Sequence, residues 1–401
     1  MTVNAIPTGD QARRLVANRV LLTLWVAALL GCVWLPFAAM APNRLVSGEA
    51  INLAAALTTW QAATLALLAL LLALAALARP LSAEQGLRLT LAVAPLTLLL
   101  TLYALGDYAA RALVEASPVA RVSQGAAFWV LVFCTLLMIV DAFQRLRAPL
   151  WVGGAYGLAL AAAIAGLFAS GQFNALSILR EYFNIQDAFI AQLLTHLRLV
   201  ALALTPALAI GLPLGLLAHR RPALRGSLFG TLNFFQTIPS IALFALLVAP
   251  LSALGDSFPL LRALGIKGIG AAPAIIALIM YSLLPVVRNT HAGFAGVAAA
   301  TLEAARGMGM TRRQVLWRVE IPLALPVILS GLRIVTVQAI GLTVVAALIG
   351  AGGLGAFVFQ GLGQYAIDLV LLGAVPTIAL AVIADFLLQI LVAISRPAGG
   401  R

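Results

Sequence analysis

The chain reads as long apolar runs separated by short polar punctuation. About 20 apolar residues cross the hydrocarbon of a bilayer. Runs of that order recur at 20–40, 59–78, 87–106, 127–143, 150–170, 194–217, 228–250, 271–288, 327–349 and 369–394. Their apolar positions are continuous and do not alternate with a period of two, so each run predicts a helix, not a barrel strand. The expectation is an all-α integral membrane protein with about ten transmembrane helices. Five spans form a hydrophobic block over 1–188, five more form a core over 189–395, and 396–401 is a tail.

Composition agrees with the pattern. Hydrophobic residues make up 63% of the 401 and charged residues 9%, too few charges to cover a soluble surface. A net charge of +12 raises nucleic acid as a partner. The basic residues lie between apolar runs, however, with no polybasic tract or aromatic-interleaved patch, so no nucleic-acid binding is expected. Their placement orients the chain instead. An even span count puts both termini on one side. With that side cytoplasmic, eighteen basic residues fall inside, among them Arg13, Arg14, Arg79, Arg288, Arg333 and Arg401. Seven fall outside: Arg44, Arg111, Arg121, Arg180, Arg198, Arg262 and Lys267. The positive-inside rule then predicts both ends in the cytoplasm. Arg13, Arg14 and Arg19, the first apolar run and Ala39-Met40-Ala41 mimic a signal peptide. The run is longer than the usual h-region, so the first span is expected to be retained.

Candidate chemistry is sparse. Cys32 and Cys134 lie in apolar runs and read as small buried hydrophobes. His196, His219 and His291 are scattered without ligand spacing, so no metal is expected. No Gly-x-x-x-x-Gly-Lys-[Ser/Thr] is present, and no clustered His, Asp, Glu, Cys or Ser marks an enzyme. Asp141 and Asp385 are the main acidic residues that could serve a self-powered, ion-coupled carrier, and both sit near predicted cytoplasmic ends. Asp107, Arg111, Glu115 and Arg121 predict an amphipathic surface helix within 107–126. In the second half, Gly211-Leu212-Pro213-Leu214-Gly215, Pro239, Pro273 and Pro285 are expected to interrupt helices. Such breaks line a pathway, or the small residues serve close helix packing.

One polar, basic island stands out. Residues 299–309 predict a short helix with small residues on one face, ended by Gly309 at positive φ. Thr311 and Gln314 then fit a capping box, opening a second helix that Pro322 is expected to stop. Glu303-Ala304-Ala305-Arg306-Gly307-Met308-Gly309, closed by Val319-Glu320-Ile321-Pro322, resembles the cytoplasmic coupling loop of ATP-binding-cassette (ABC) importer permeases. The resemblance implies that Ala304–Gly309 fits a groove on an ATPase subunit, with Glu303 pairing to a donor there.

Three further segments are similar to the glycine betaine/carnitine/choline osmoprotectant permeases, in their longer form with extra N-terminal spans. They are Phe235–Leu243, Tyr281–Thr290 and Ile349–Gly355. Gly350-x-Gly-x-x-Gly also satisfies the dinucleotide fingerprint, but no strand precedes it; it reads as a tight turn at a membrane boundary. Candidate path residues are Gln236, Thr237, Ser240, Tyr281 and Asn289; the alternative for each is hydrogen bonding between helices. The resemblance implies a multi-pass bacterial inner-membrane subunit with no cofactor of its own, ATP and Mg being bound by the partner ATPase. It also implies an extracytoplasmic solute-binding protein, a second permease subunit and surrounding lipid as partners. The cargo would be glycine betaine or a related quaternary amine. Another small solute, such as an amino acid or a sulfonate, stays open.

Overall fold

The computed structural model describes residues 18–43, 46, 48–77 and 81–396. The sequence expectations for Arg13, Arg14, Arg44, Arg79 and Arg401 fall outside those residues. The chain divides into two compact units, one up to Phe183 and one from Asn184.

In the first unit, α1 (Arg19–Trp34) leads into strands β1 (Ala38–Ala41) and β2 (Glu49–Ile51). Then come α2 (Leu53–Ala56), α3 (Thr59–Ala76), α4 (Ala83–Ala112), β3 (Arg121–Gln124), α5 (Ala126–Leu146), α6 (Leu150–Ala169) and α7 (Ser177–Asn184). Apolar side chains of α1, α3, α4 and α5 form one core around Leu21, Leu105, Phe128 and Met138. Polar groups then fix the helices at set heights. Asn18 caps α1 by accepting from the Leu21 N–H, and its amide donates to Asp141 on α5 at 2.8 Å. Asp141 also accepts from Arg145. The Tyr156 hydroxyl on α6 donates to the Leu91 carbonyl at 2.8 Å. That carbonyl lies four residues before Pro95, which has no N–H to give it.

This unit departs from the sequence reading in one place. Residues 107–126 hold no separate surface helix. Asp107 and Arg111 end α4, where Gln61 and the Ala56 carbonyl bind them, and Arg121 opens β3. β1 is the middle strand of a small antiparallel sheet, order β2-β1-β3, with Ala39 opposite Ala50 and Ser123. Strands of three or four residues are too short for periodicity to reveal.

The second unit is helical: α8 (Gln186–Arg220), α9 (Pro222–Thr237), α10 (Ser240–Ser257), α11 (Pro259–Ala263), α12 (Ala271–Ala295) and α13 (Ala299–Gly307), followed by α14 (Arg312–Val315). A π turn (Leu316–Glu320) joins α14 to α15 (Ile321–Ala346), and α16 (Gly355–Gly363) and α17 (Ile367–Ser395) complete it. α12 packs between α8 and α15. A Cβ on Gly211 would stand 2.6 Å from Val286, and one on Gly215 2.4 Å from Thr290, so these glycines set how closely α8 approaches α12. Helix α8 runs unbroken through Pro206 and Pro213, and α12 through Pro285. The Gly211–Gly215 segment therefore serves packing and does not interrupt its helix. Pro239 does break the chain, splitting the run at 228–250 into α9 and α10.

Among the described residues, nine helices are long and apolar enough to cross a membrane, and α1 is a shorter apolar helix. Arg198, Arg288 and Arg333, counted above with the loops, lie within α8, α12 and α15.

Candidate functional site

The island at 299–322 folds as a helical hairpin at the head of α15. Its first turn-maker is a Schellman motif. The Gly309 N–H donates to the Arg306 carbonyl at 2.9 Å, and the Met310 N–H to the Ala305 carbonyl at 3.2 Å. Gly309 has φ +82°, a conformation that costs an L-residue about 1–2 kcal/mol. Thr311 then caps α14 through the expected box: its hydroxyl accepts from the Gln314 N–H, and Gln314 Oε1 accepts from the Thr311 N–H at 2.8 Å.

Burial sorts the residues of the hairpin. Ala305 and Val315, one on each arm, are buried. Glu303, Ala304, Arg306, Gly307 and Gly309 face outward, and nothing lies within 4 Å of the space a Cβ would fill on either glycine. Met308 beside them is 74% exposed. The result is a shallow face of small residues with a carboxylate at one edge.

Pro322 behaves differently from the sequence expectation. It does not stop the second helix, which continues from Arg312 to Ile349. The π turn explains why. The Ile321 N–H reaches back five residues to the Leu316 carbonyl, and the wider turn gives the Pro322 ring room beside the preceding turn. The loop is thus a rigid extension of a membrane helix. It is also tied to a second one: Glu320, with its side chain 3% exposed, is ion-paired with Arg220 at the end of α8. Sequence reasoning missed this pair, because the partners are 100 residues apart. A signal was present, since a carboxylate set between Val319 and Ile321 needs a cation if it is buried.

Of the five candidate path residues, hydrogen bonding among the described residues joins only two. Gln236 Nε2 donates to the Tyr281 carbonyl at 2.8 Å, and the Tyr281 hydroxyl donates to the Ile238 carbonyl. Both acceptors are backbone groups left over by proline or by a helix end. Pro285, four residues on, cannot serve Tyr281, and Ile238 follows the last residue of α9. The pair clamps the α9–α10 break onto α12. Thr237 and Asn289 bond within their own segments, to the Phe234 and Pro285 carbonyls. Ser240 opens α10.

The Gly350–Gly355 segment is a turn that leads from α15 to α16, with Gly350, Gly352 and Gly353 all at positive φ. Gln192 Oε1 accepts from the Gly353 N–H at 2.6 Å, and the fully buried His196 packs against the same glycine. Asp141 and Asp385 are both ion-paired, the latter with Arg333. Among the described residues no group of His, Cys, Asp or Glu could hold a metal ion.

The described residues form a helical body with membrane-length apolar helices, one of which begins in a polar helical hairpin. Residues 207–394 match the family described as the binding-protein-dependent transport system inner membrane component. Residues 17–179 match the N-terminal domain of the ABC transporter permease YehY. The osmoprotectant import permease protein OsmW of Salmonella typhimurium is 43% identical over 206 residues, 51% of this chain and 91% of that protein. The glycine betaine/carnitine/choline transport system permease protein OpuCB of Bacillus subtilis is 38% identical over 49% of this chain and 82% of its own length. The MetNI methionine ABC transporter in an inward-facing form is 22% identical, with a TM-score of 0.47, over 53% of this chain and 99% of that one. The chain belongs to the family of inner-membrane permease subunits of binding-protein-dependent ABC importers.

Proposed function

We propose that the chain imports glycine betaine or a related quaternary-amine osmoprotectant, driven by a separate ATPase that docks on the 303–322 loop. The support is the similarity to osmoprotectant, choline and carnitine permeases over nearly their whole length. In this reading Ala304, Ala305, Arg306, Gly307 and Gly309 form the docking helix and turn, Glu303 meets a donor on the ATPase, and Pro322 seats the loop on α15. ATP and Mg are bound and hydrolysed on the partner, and the chain itself is not an enzyme. An external binding protein delivers the solute to the face opposite the loop, and a second permease subunit completes the path. Gln236, Thr237, Ser240, Tyr281 and Asn289 border that path, with Gln236 and Tyr281 acting chiefly as a clamp. Both termini lie in the cytoplasm, on the loop's side. The 1–188 block is an accessory module, 189–395 the transporting core and 396–401 a cytoplasmic tail.

The test is mild purification of the tagged chain from its native membranes, with mass spectrometry of what accompanies it. A Walker-motif ATPase and a binding protein whose ligand screen returns betaines are expected. A chain recovered alone and still able to move solute would overturn the reading.

A further inference from the structure

A cavity of about 680 Å³ lies behind the docking turn, where α13, the first turn of α14 and the end of α8 meet. Four guanidinium groups line it, from Arg220, Arg306, Arg312 and Arg313, against the single carboxylate of Glu320. That carboxylate is already taken by Arg220. Arg306, Arg312 and Arg313 have no acidic partner among the described residues. Two of them, Arg312 and Arg313, occupy the start of a helix that runs to Ile349, the end where peptide dipoles oppose a cation. All three are exposed, so solvent screens their repulsion, and an anion brought among them gains from the summed positive field.

We propose that this cavity is a second docking point for the ATPase and receives carboxylate side chains of that partner. The proposal rests on the reading that the loop docks an ATPase. Charge complementarity carries it: three guanidiniums without an acidic partner line one cavity, and each offers the planar fork that carboxylates match in pairs. A lipid headgroup is the competing occupant, since basic clusters at a membrane face also attract anionic lipid; the cavity's place beside the docking turn favours the ATPase. Docking through the cavity would seat acidic side chains against Arg312 and Arg313, about two turns ahead of the Glu320–Arg220 pair. Movement of the partner would then be felt by α8 and α15 together.

Lys267 is the only lysine in the sequence, which makes a selective test practical. In Arg312→Lys/Arg313→Lys the charge is kept and two amines are introduced. A zero-length carbodiimide joins an amine only to a carboxylate that it touches. Treated in native membranes, the full-length variant is expected to give a cross-linked peptide between this segment and an Asp or Glu of a Walker-motif ATPase; the wild type gives none there. The charge-reversed Arg312→Glu/Arg313→Glu is expected to retain roughly tenfold less ATPase at about 0.15 M salt, at unchanged membrane abundance. A photoreactive benzoylphenylalanine in place of Met308 tests the parent reading separately. If it captures the ATPase while the lysine variant does not cross-link and the reversed variant retains the ATPase, the cavity proposal alone falls. If neither position captures an ATPase, both readings fall. Loss of co-purified phosphatidylglycerol from the reversed variant, with the ATPase fully retained, assigns the cavity to a lipid headgroup and also overturns the proposal.

Discussion

At the residue scale the hairpin depends on one backbone conformation. Gly309→Val places a β-branched side chain at φ +82°, which costs upward of about 1–2 kcal/mol locally and unwinds the Schellman turn. The expected outcome is continued ATP hydrolysis with uptake reduced several-fold and the chain still in the membrane, read from the ratio of the two rates. Unchanged uptake would count against the coupling role. The clamp makes a second prediction. Gln236→Leu leaves the Tyr281 carbonyl without its donor, and Tyr281→Phe does the same to Ile238. Each change should lower stability by about 1 kcal/mol, seen as an earlier thermal transition in detergent. Gly309, Thr311 and Gln314 were legible in the sequence because caps and turns are local. The Glu320–Arg220 pair and the clamp join residues far apart along the chain, and one sequence carries no record of such pairing.

At the element scale the spans were legible because hydropathy is a property of the run itself. Their ends and breaks were not. Pro322 was expected to stop a helix, yet a π turn absorbs it; Pro213 and Pro285 were expected to interrupt helices that stay whole. Whether a proline breaks a helix depends on whether a neighbour serves the freed carbonyl, as Gln236 does for Tyr281 and Tyr156 for Leu91. The ion pair between α15 and α17 belongs to this scale as well. Arg333 lies midway along α15, and its fork meets Asp385 with one contact at 2.6 Å, the two side chains being 37% and 35% exposed. Removing one charge leaves the other unpaired at membrane depth. Asp385→Leu alone should therefore destabilise the chain by about 1–3 kcal/mol. Arg333→Leu/Asp385→Leu should recover most of that loss, measured as the temperature of half-aggregation. A double variant that loses the sum of what Arg333→Leu and Asp385→Leu lose separately would show that the pair is not coupled.

At the scale of the whole molecule, the curated relatives match about half of this chain while the match covers most of their own lengths. The unit from Asn184 onward has cores of its own, around Phe244 and Tyr281 and around Leu232 and Val287. Deletion up to Phe183 should therefore leave a chain that inserts and still brings down the ATPase. Loss of the ATPase from a stably inserted core would make the first unit part of the docking machinery. The transport class was legible through the resemblance of the Glu303–Pro322 segment to the coupling loop of a known family, since that loop is written in one continuous segment. The cargo was legible only as an implication of that resemblance, because none of the candidate path residues Gln236, Thr237, Ser240, Tyr281 and Asn289 selects one small solute over another.

The measurement that tests the account most directly is uptake of labelled glycine betaine into proteoliposomes that contain the complex purified from native membranes, with binding protein outside. Uptake that requires ATP on the loop side and persists when the proton gradient is collapsed is the predicted result. Uptake that needs no ATP and follows the gradient would contradict it.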